Sequence, residues 1–344
     1  MTNTRKALVV SPYLDHLGGG ERYMLEAAAV IREAGYDLTF AWDNQEQVTS
    51  LAKQFDLDIS AINIAPNIKK LYFGGSPLAM WRATQRYDLV LYMSDGSIPL
   101  LGGKKNILHM QVPYHNIHGR SFANKLKLSR IHNIIVNSYF TKRVVDREYG
   151  INAIVVYPPI TQVKSGKKQK IILSVGRLEP SLNVKRQDAL IEAFRLVSPD
   201  LPGWRLVLAG ASNNNGWLRE LQSRAIGLPI EFVTAGSFSK IQKLYSKSRI
   251  YWHANGYGID EEEKPELTEH FGISIAEAVS AGCIPLVVGK GGVPEIVSDI
   301  RYYWESIEEL VTRTQQAVAN ELPPIQLPPS LIQTTFNEEM RKLC

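Results

Sequence analysis

Short apolar runs alternate with amphipathic stretches along most of this chain, and that alternation limits the fold more than any single residue does. Residues 6–13 carry an unbroken Ala-Leu-Val-Val centre, the pattern of a strand buried on both faces. Residues 20–36 then repeat apolar side chains at helical spacing and stop at Gly35, a helix-terminating residue. Further strands are predicted over 37–42, 87–94, 105–111 and 132–138. Strand and helix in alternation give a parallel sheet with helices on both faces, a doubly wound α/β unit. The pattern restarts after a stretch at 155–170 whose Pro158-Pro159, Gly166 and clustered lysines read as a linker. Beyond it come strands at 171–178, 204–211, 230–236, 249–255 and 283–289, with helices at 188–197, 217–226 and 273–282. A length of 344 residues suits two such domains. The expected boundaries are 1–160 and 161–330, with a C-terminal segment, 331–344, packing back toward the first domain. Two open sheets of this kind place a ligand cleft at the carboxyl ends of their strands.

Composition removes several classes. Apolar residues make up 44% and charged residues 21%, a globular balance that excludes a disordered or low-complexity chain. No run approaches the roughly 18 uncharged apolar residues of a membrane span. The first residues enter a strand too soon for a secretory signal, and two cysteines, Cys283 and Cys344, build no disulfide framework. A reducing cytoplasm is the expected setting. The net charge is +5, but residues 101–250 hold 24 basic against 8 acidic side chains, whereas 251–300 hold nine acidic against two basic. A basic middle favours phosphate-bearing ligands, an anionic membrane or nucleic acid, or it is simply a solvated face. No nucleic-acid signature accompanies it, so nucleic acid is not expected as a partner. Lys125, Lys127 and Arg130 alternate with Phe122, Leu126 and Leu128, which suits either peripheral contact with anionic lipid or a solvated helix.

The most informative stretch runs from Glu269 through Phe271-Gly272 and Ile273 to Glu277, followed by Gly291-Gly-Val-Pro-Glu295. Gly272 allows a tight entry into a helix whose first amides, reinforced by the helix dipole, make an anion site. Glu269 and Glu277 would flank that site and accept hydrogen bonds from hydroxyls. A second reading stays open: Ser274-Ile-Ala-Glu277 also fits a capping box in which Glu277 serves only a backbone amide. By position alone Glu295 reads as a first-turn helix charge. Gly18-Gly19-Gly20 leads from the first strand into a helix; it lacks the Lys-Ser/Thr of a P-loop and reads as a flexible turn or a ligand-lining loop. His109, His115 and His118 do not have a metal-ligand spacing, and no metal is expected. Residues 253–260 and the acidic run Glu261–Glu263 read as a solvated loop, and no site is assigned there.

Taken in order, four stretches carry a resemblance: Gly18-Gly-Gly-Glu-Arg22; Asn137-Ser-Tyr-Phe-Thr141 followed by Tyr157-Pro-Pro; Val175-Gly-Arg177-Leu with Lys185-Arg186; and Glu269 to Glu295. Together, over residues 6–298, the chain resembles the retaining glycosyltransferases of family 4. The resemblance implies the GT-B fold, two Rossmann-like domains facing across a cleft. It implies that Arg177 and Lys185 grip the donor diphosphate and neutralise the leaving group, with Arg186 as alternate because the loop 178–184 is longer than usual. Glu277 would hold the nucleotide ribose, Glu295 would be a weaker nucleotide contact unless it is only a helix charge, and Glu269 would sit beside the transferred sugar. The backbone of Phe271, Gly272 and Ile273 would meet phosphate or sugar oxygens, while Gly18, Gly19 and Gly20 would line the cleft. A histidine after an N-terminal-domain strand would approach a sugar hydroxyl, with His109 first and His115 second.

The implied activity is transfer of a hexosyl group from a UDP- or GDP-sugar to a hydroxyl of a glycan or lipid-linked saccharide, with retention and without cofactor. The alternative is a GT-B protein that binds nucleotide sugar but has lost catalysis; Arg177, Lys185, Glu269 and Glu277 standing together argue against it. A dehydrogenase would need a G-x-G-x-x-G turn after a strand, which neither half supplies. A retaining hydrolase needs paired carboxyls about 5–5.5 Å apart, which the spacing of Glu269 and Glu277 does not secure. The expected setting is cytoplasmic, with room for peripheral contact at the inner membrane surface.

Overall fold

The computed structural model describes residues 4–15, 18–59, 61–180, 185–212, 214–234 and 238–344. The chain divides into two compact units: Met1–Pro159 with Gln333–Cys344, and Ile160–Ile332. In the first unit the described strands are β1 (Arg5–Val10), β2 (Tyr36–Phe40), β3 (Asn63–Ile64), β4 (Leu89–Met93), β5 (Lys105–Met110), β6 (Asn133–Val136) and β7 (Ile154–Val155). Its helices are α1 (Gly19–Glu33), α2 (Gln45–Gln54), α3 (Pro66–Gly74), α4 (Pro77–Thr84), α5 (Phe122–Leu128) and α6 (Tyr139–Tyr149). All strand pairs are parallel, in the order β3-β2-β1-β4-β5-β6-β7.

The second unit has β8 (Gln169–Val175), β9 (Arg205–Gly210), β10 (Ile230–Thr234), β11 (Ser248–His253) and β12 (Ile284–Val287), parallel in the order β10-β9-β8-β11-β12. Its helices are α7 (Gln187–Val197), α8 (Asn215–Arg224), α9 (Phe238–Lys247), α10 (Ile273–Ser280) and α11 (Ile307–Val318). The stretch read as a linker begins inside β7 and ends inside β8; between them, 156–168 carry no helix or strand. Residues 235–236, at the end of one expected strand, lie outside the described residues.

The apolar runs are unbroken because each sheet is covered twice. In β1, Ala7 and Val9 enter one core cluster with Tyr23, Met24 and Leu25 of α1, whereas Leu8 and Val10 enter the other with Ile68 of α3 and Met80 of α4. Leu89, Leu91 and Met93 against Val90 and Tyr92 repeat this in β4. Side chains of a strand alternate between faces, so a strand buried on both sides shows no polar alternation. The C-terminal helix α12 (Gln333–Lys342) belongs to the first unit, where Phe336 meets Tyr23 edge-on at 5.2 Å and Met340 enters the α1 side of the core. Its last turn is tied by Arg341 to Glu33 at 2.7 Å, an exposed pair that contributes little. In both sheets the strand order reverses beside the first strand of the unit, between β1 and β4 and between β8 and β11. Connections leave on opposite faces at such a point and open a crevice at the strand ends.

Candidate active site

In the second unit that reversal point gathers charge. β8 ends at Val175 and Gly176-Arg177 follow; β11 ends at His253 and Asn255 follows. Gly176 lies under the next cation: a Cβ there would stand 2.8 Å from Lys185 Cγ. Lys185 extends across the crevice and donates from Nζ to Glu269 Oε2 at 2.7 Å. The same oxygen meets His253 Nε2 at 2.9 Å and takes a longer bond from Asn255 Nδ2 at 3.3 Å. Burial opposes ionisation of Glu269, but Lys185 and His253 overcome it and hold the carboxyl well below the usual range. His253 is also shifted down, but here burial prevails. Enclosure lowers its pKa more than Glu269 raises it, so the ring is neutral near neutral pH. A neutral ring meeting a carboxylate through Nε2 carries its proton there.

Glu269 also leads into the helix start. Gly272 is the N-cap of α10 at φ +110°, a left-handed conformation that favours glycine, and a Cβ there would come 2.9 Å from Ile275 Cδ1. Its carbonyl accepts the Ile275 and Ala276 amides, both at 3.0 Å. The Ile273 and Ser274 amides open the helix with no carbonyl four residues back to serve them, which makes this end receptive to an anion. Phe271 anchors the turn, its ring buried in the second unit. The Gly-Gly turn is fastened to Glu269 itself. Gly292 donates its amide to the Glu269 carbonyl at 2.7 Å, and a Cβ on Gly291 would stand 2.1 Å from that oxygen. Glu295 closes a single 3-10 turn, Val293–Glu295, and is half-buried.

Several expectations change. The capping-box reading of Ser274 and Glu277 is excluded: the cap is Gly272, two residues before Ser274, and no side chain caps the end. Glu277 is buried in α10, and both it and Glu269 lie close enough to Tyr251 to add to the burial that raises its hydroxyl pKa. Arg186 does not join Lys185 at Glu269. It turns away in a left-handed conformation, pairs with Asp188 at 3.1 Å, bonds the Tyr257 carbonyl at 2.9 Å and stacks on the Tyr257 ring. Arg177 pairs with Glu179 at 3.4 Å and keeps 42% of its side chain exposed. Residues 181–184, the part of the lengthened loop that prompted the alternate, lie outside the described residues.

His109 is a further correction. It lies inside the first unit, wholly enclosed, its ring stacked on Tyr23 at 4.0 Å and 6°. A ring with no exposed surface offers a sugar hydroxyl nothing to meet. His115, the second choice, is half-buried after β5. Gly18 caps α1 and Gly20 packs against Gln111, where a Cβ would stand 2.5 Å from the amide; Gly19 opens the helix between them. The acidic loop is not merely solvated: Glu261 Oε2 accepts the Gly291 amide at 2.6 Å, and Lys290 Nζ donates to the Ile259 carbonyl at 2.6 Å. His253, Asn255 and Glu261 are thus the residues the sequence reading left out. The available signal was a His and an Asn placed just past a buried strand. Among the described residues no three metal-binding side chains gather, and no helix is long and apolar enough to cross a membrane.

Residues 160–321, which contain this whole constellation, match the family model described as Glycosyl transferases group 1. The match covers nearly all of the second unit and just under half of the chain. Among curated glycosyl transferases it is similar to the Dictyostelium discoideum GDP-Man:Man(3)GlcNAc(2)-PP-Dol alpha-1,2-mannosyltransferase, at 23% identity over 60% of this chain and 45% of that protein. It is also similar to Alpha-1,3/1,6-mannosyltransferase ALG2 of Kluyveromyces lactis, at 25% identity over 86% of this chain and 71% of that protein. The chain therefore spans under half the length of the Dictyostelium relative. Among solved structures, a glycosyltransferase from Rickettsia africae ESF-5 aligns with TM-score 0.67 at 18% identity, covering 99% of this chain and 93% of that one. TarM aligns with TM-score 0.68 at 12% identity, covering 99% and 95%. These likenesses show the GT-B fold, in which each unit is a Rossmann-like parallel sheet.

Proposed function

We propose that this chain is a retaining hexosyltransferase that takes a sugar from a nucleoside-diphosphate donor, GDP-mannose first, to a hydroxyl of a lipid-linked saccharide. The observation that carries the reading is the Lys185–Glu269 contact at the β8/β11 reversal, beside the helix start at Gly272. The group 1 match and the likeness to mannosyltransferases support it. In this reading Arg177 and Lys185 neutralise the departing diphosphate, while the amides at Phe271, Gly272 and Ile273 meet its oxygens. Glu277 accepts from the ribose hydroxyls and Glu269 from those of the sugar. Glu295 braces the nucleotide side, and Gly18, Gly19 and Gly20 line the acceptor side. The bond from the anomeric carbon to the phosphate oxygen breaks as the acceptor oxygen bonds the same face. The acceptor proton passes to the leaving phosphate. Charge neutralisation falls to side chains and amides, so the reading calls on no metal or cofactor.

A lipid-linked acceptor places the work at a membrane surface. Helix α5 supports this: it buries no residue, exposes Phe122 by 84% and Leu126 by 62%, and carries Lys125 and Lys127, with Arg130 just beyond. A cytoplasmic chain would meet anionic lipid peripherally through this face. The deciding experiment is a donor screen. A donor at 100 times its dissociation constant stabilises the chain by about 2.7 kcal/mol. GDP-mannose should raise the melting temperature and be slowly hydrolysed or transferred. No shift and no turnover with any GDP-, UDP- or ADP-sugar would end the proposal.

A further inference from the structure

Glu269 is held by more donors than the reading above uses, and they differ in kind. Lys185, Asn255 and His253 converge on one oxygen, Oε2. Lys185 rests on a long flexible stem and keeps 19% of its side chain exposed. If it neutralises the departing diphosphate, as that reading requires, it has to release or share Glu269 when donor binds. His253 and Asn255 carry shorter side chains. His253 ends β11, a strand paired on both sides by β8 and β12, and Asn255 stands two residues beyond it; they are 3% and 0% exposed. The His253 ring is pinned within the core, and among the described residues its Nδ1 meets no hydrogen-bond partner while its Nε2 meets Glu269.

We propose that His253 and Asn255 are positioning residues that anchor Glu269 Oε2 while Lys185 is engaged by the diphosphate, presenting Oε1 to the transferred sugar. The proposal rests on the hexosyltransferase reading for its consequence but not for its geometry. A pinned carboxylate keeps one oxygen aimed through the reaction, and a misplacement of about 1 Å in such a group costs on the order of 100-fold in rate. A Lys–Glu pair alone would let the carboxylate rotate each time the lysine moved. Neither residue touches substrate in this scheme; both act through Glu269.

Three variants and two readouts test it. His253→Leu removes the donor, whereas His253→Gln returns an N–H near the Nε2 position. Asn255→Ser serves if the leucine variant fails to fold. In His253→Leu, kcat for donor turnover should fall more than about 20-fold with KM within about threefold, and His253→Gln should recover most of the loss. Affinity for the free nucleoside diphosphate should stay within about twofold in both. NMR titration of the Glu269 side-chain carboxyl in the ligand-free chain judges the geometry without any activity. Its midpoint should rise in His253→Leu, stay near wild type in His253→Gln, and rise less in Asn255→Ser. An unmoved midpoint in His253→Leu overturns the proposal, as does an equal loss of kcat in the leucine and glutamine variants, which would mean packing alone. A wild-type chain that turns over no nucleotide sugar, with the midpoint shifting as expected, sinks the transferase reading and spares the anchoring.

Discussion

Acid should destabilise the first unit through one residue, His109. The ring is enclosed, neither nitrogen completes a regular hydrogen bond among the described residues, and burial lowers its pKa from 6.5 to about 3, with Ile135 and Gln111 offsetting only part. The unfolded chain takes up a proton near pH 6.5 that the native unit refuses, so this contribution is complete above pH 6.5 and lost progressively down to about pH 3. At pH 5 the unfolded side chain has gained about 1.5 pH units' worth of protonation, or about 2 kcal/mol. For a unit of about 170 residues that is about 4–8 °C in melting temperature. His109→Phe keeps a flat ring against Tyr23 and cannot protonate, so it isolates the effect. The assay is scanning calorimetry of wild type and variant at pH 7.5 and pH 5, at one scan rate. The wild type should lose about 4–8 °C more than the variant on going to pH 5. His253 and His270 are also lowered by burial, but both chains carry them and their share cancels in the difference. An equal loss in the two proteins would refute the enclosed, neutral state of His109.

Arg177→Ala and Glu277→Ala should each lower turnover more than about tenfold without a large change in melting temperature. Steady-state kinetics with the donor found in the screen, alongside thermal melts, check this, and unchanged turnover in both removes the assigned roles. Replacing Lys125, Lys127 and Arg130 together by Glu should abolish sedimentation with phosphatidylserine-containing vesicles and leave turnover on a soluble acceptor unchanged. Vesicle binding that is absent in wild type, or indifferent to the charge reversal, disposes of the lipid contact.

The architecture was legible because both sheets are parallel and covered on two faces. Such burial writes itself into the sequence as unbroken apolar runs, and the runs at 6–13, 87–94 and 171–178 are β1, β4 and β8. The short strands β3 and β7, two residues each, leave too little pattern to read. Within the site, Glu269 and Gly272 were legible from glycine and charge placed at a helix entrance, whereas Lys185 was singled out only through the family resemblance. What the sequence concealed was burial and direction. Ser274 and Glu277 have capping-box spacing, and only the backbone at Gly272 shows that the helix starts before them. His109 and His253 are both histidines at strand ends. One packs against a tyrosine and the other against a carboxylate, a difference no local pattern records.

Glu261 shows why the acidic loop escaped notice and what it does. The acidic run Glu261–Glu263 reads as a solvated loop, yet one of its members takes the amide of Gly291. That amide belongs to the turn in which Gly292 bonds the Glu269 carbonyl, and Lys290 at its edge bonds the carbonyl of Ile259. The loop and the turn therefore clasp each other through two contacts, and the turn in turn grips the Glu269 backbone. The side chain of Glu269 is fixed by β11 and Lys185, and its backbone by the Gly-Gly turn. A carboxylate held from both ends has little freedom left, and the reversal of strand order between β8 and β11 is what brings those holders to one place.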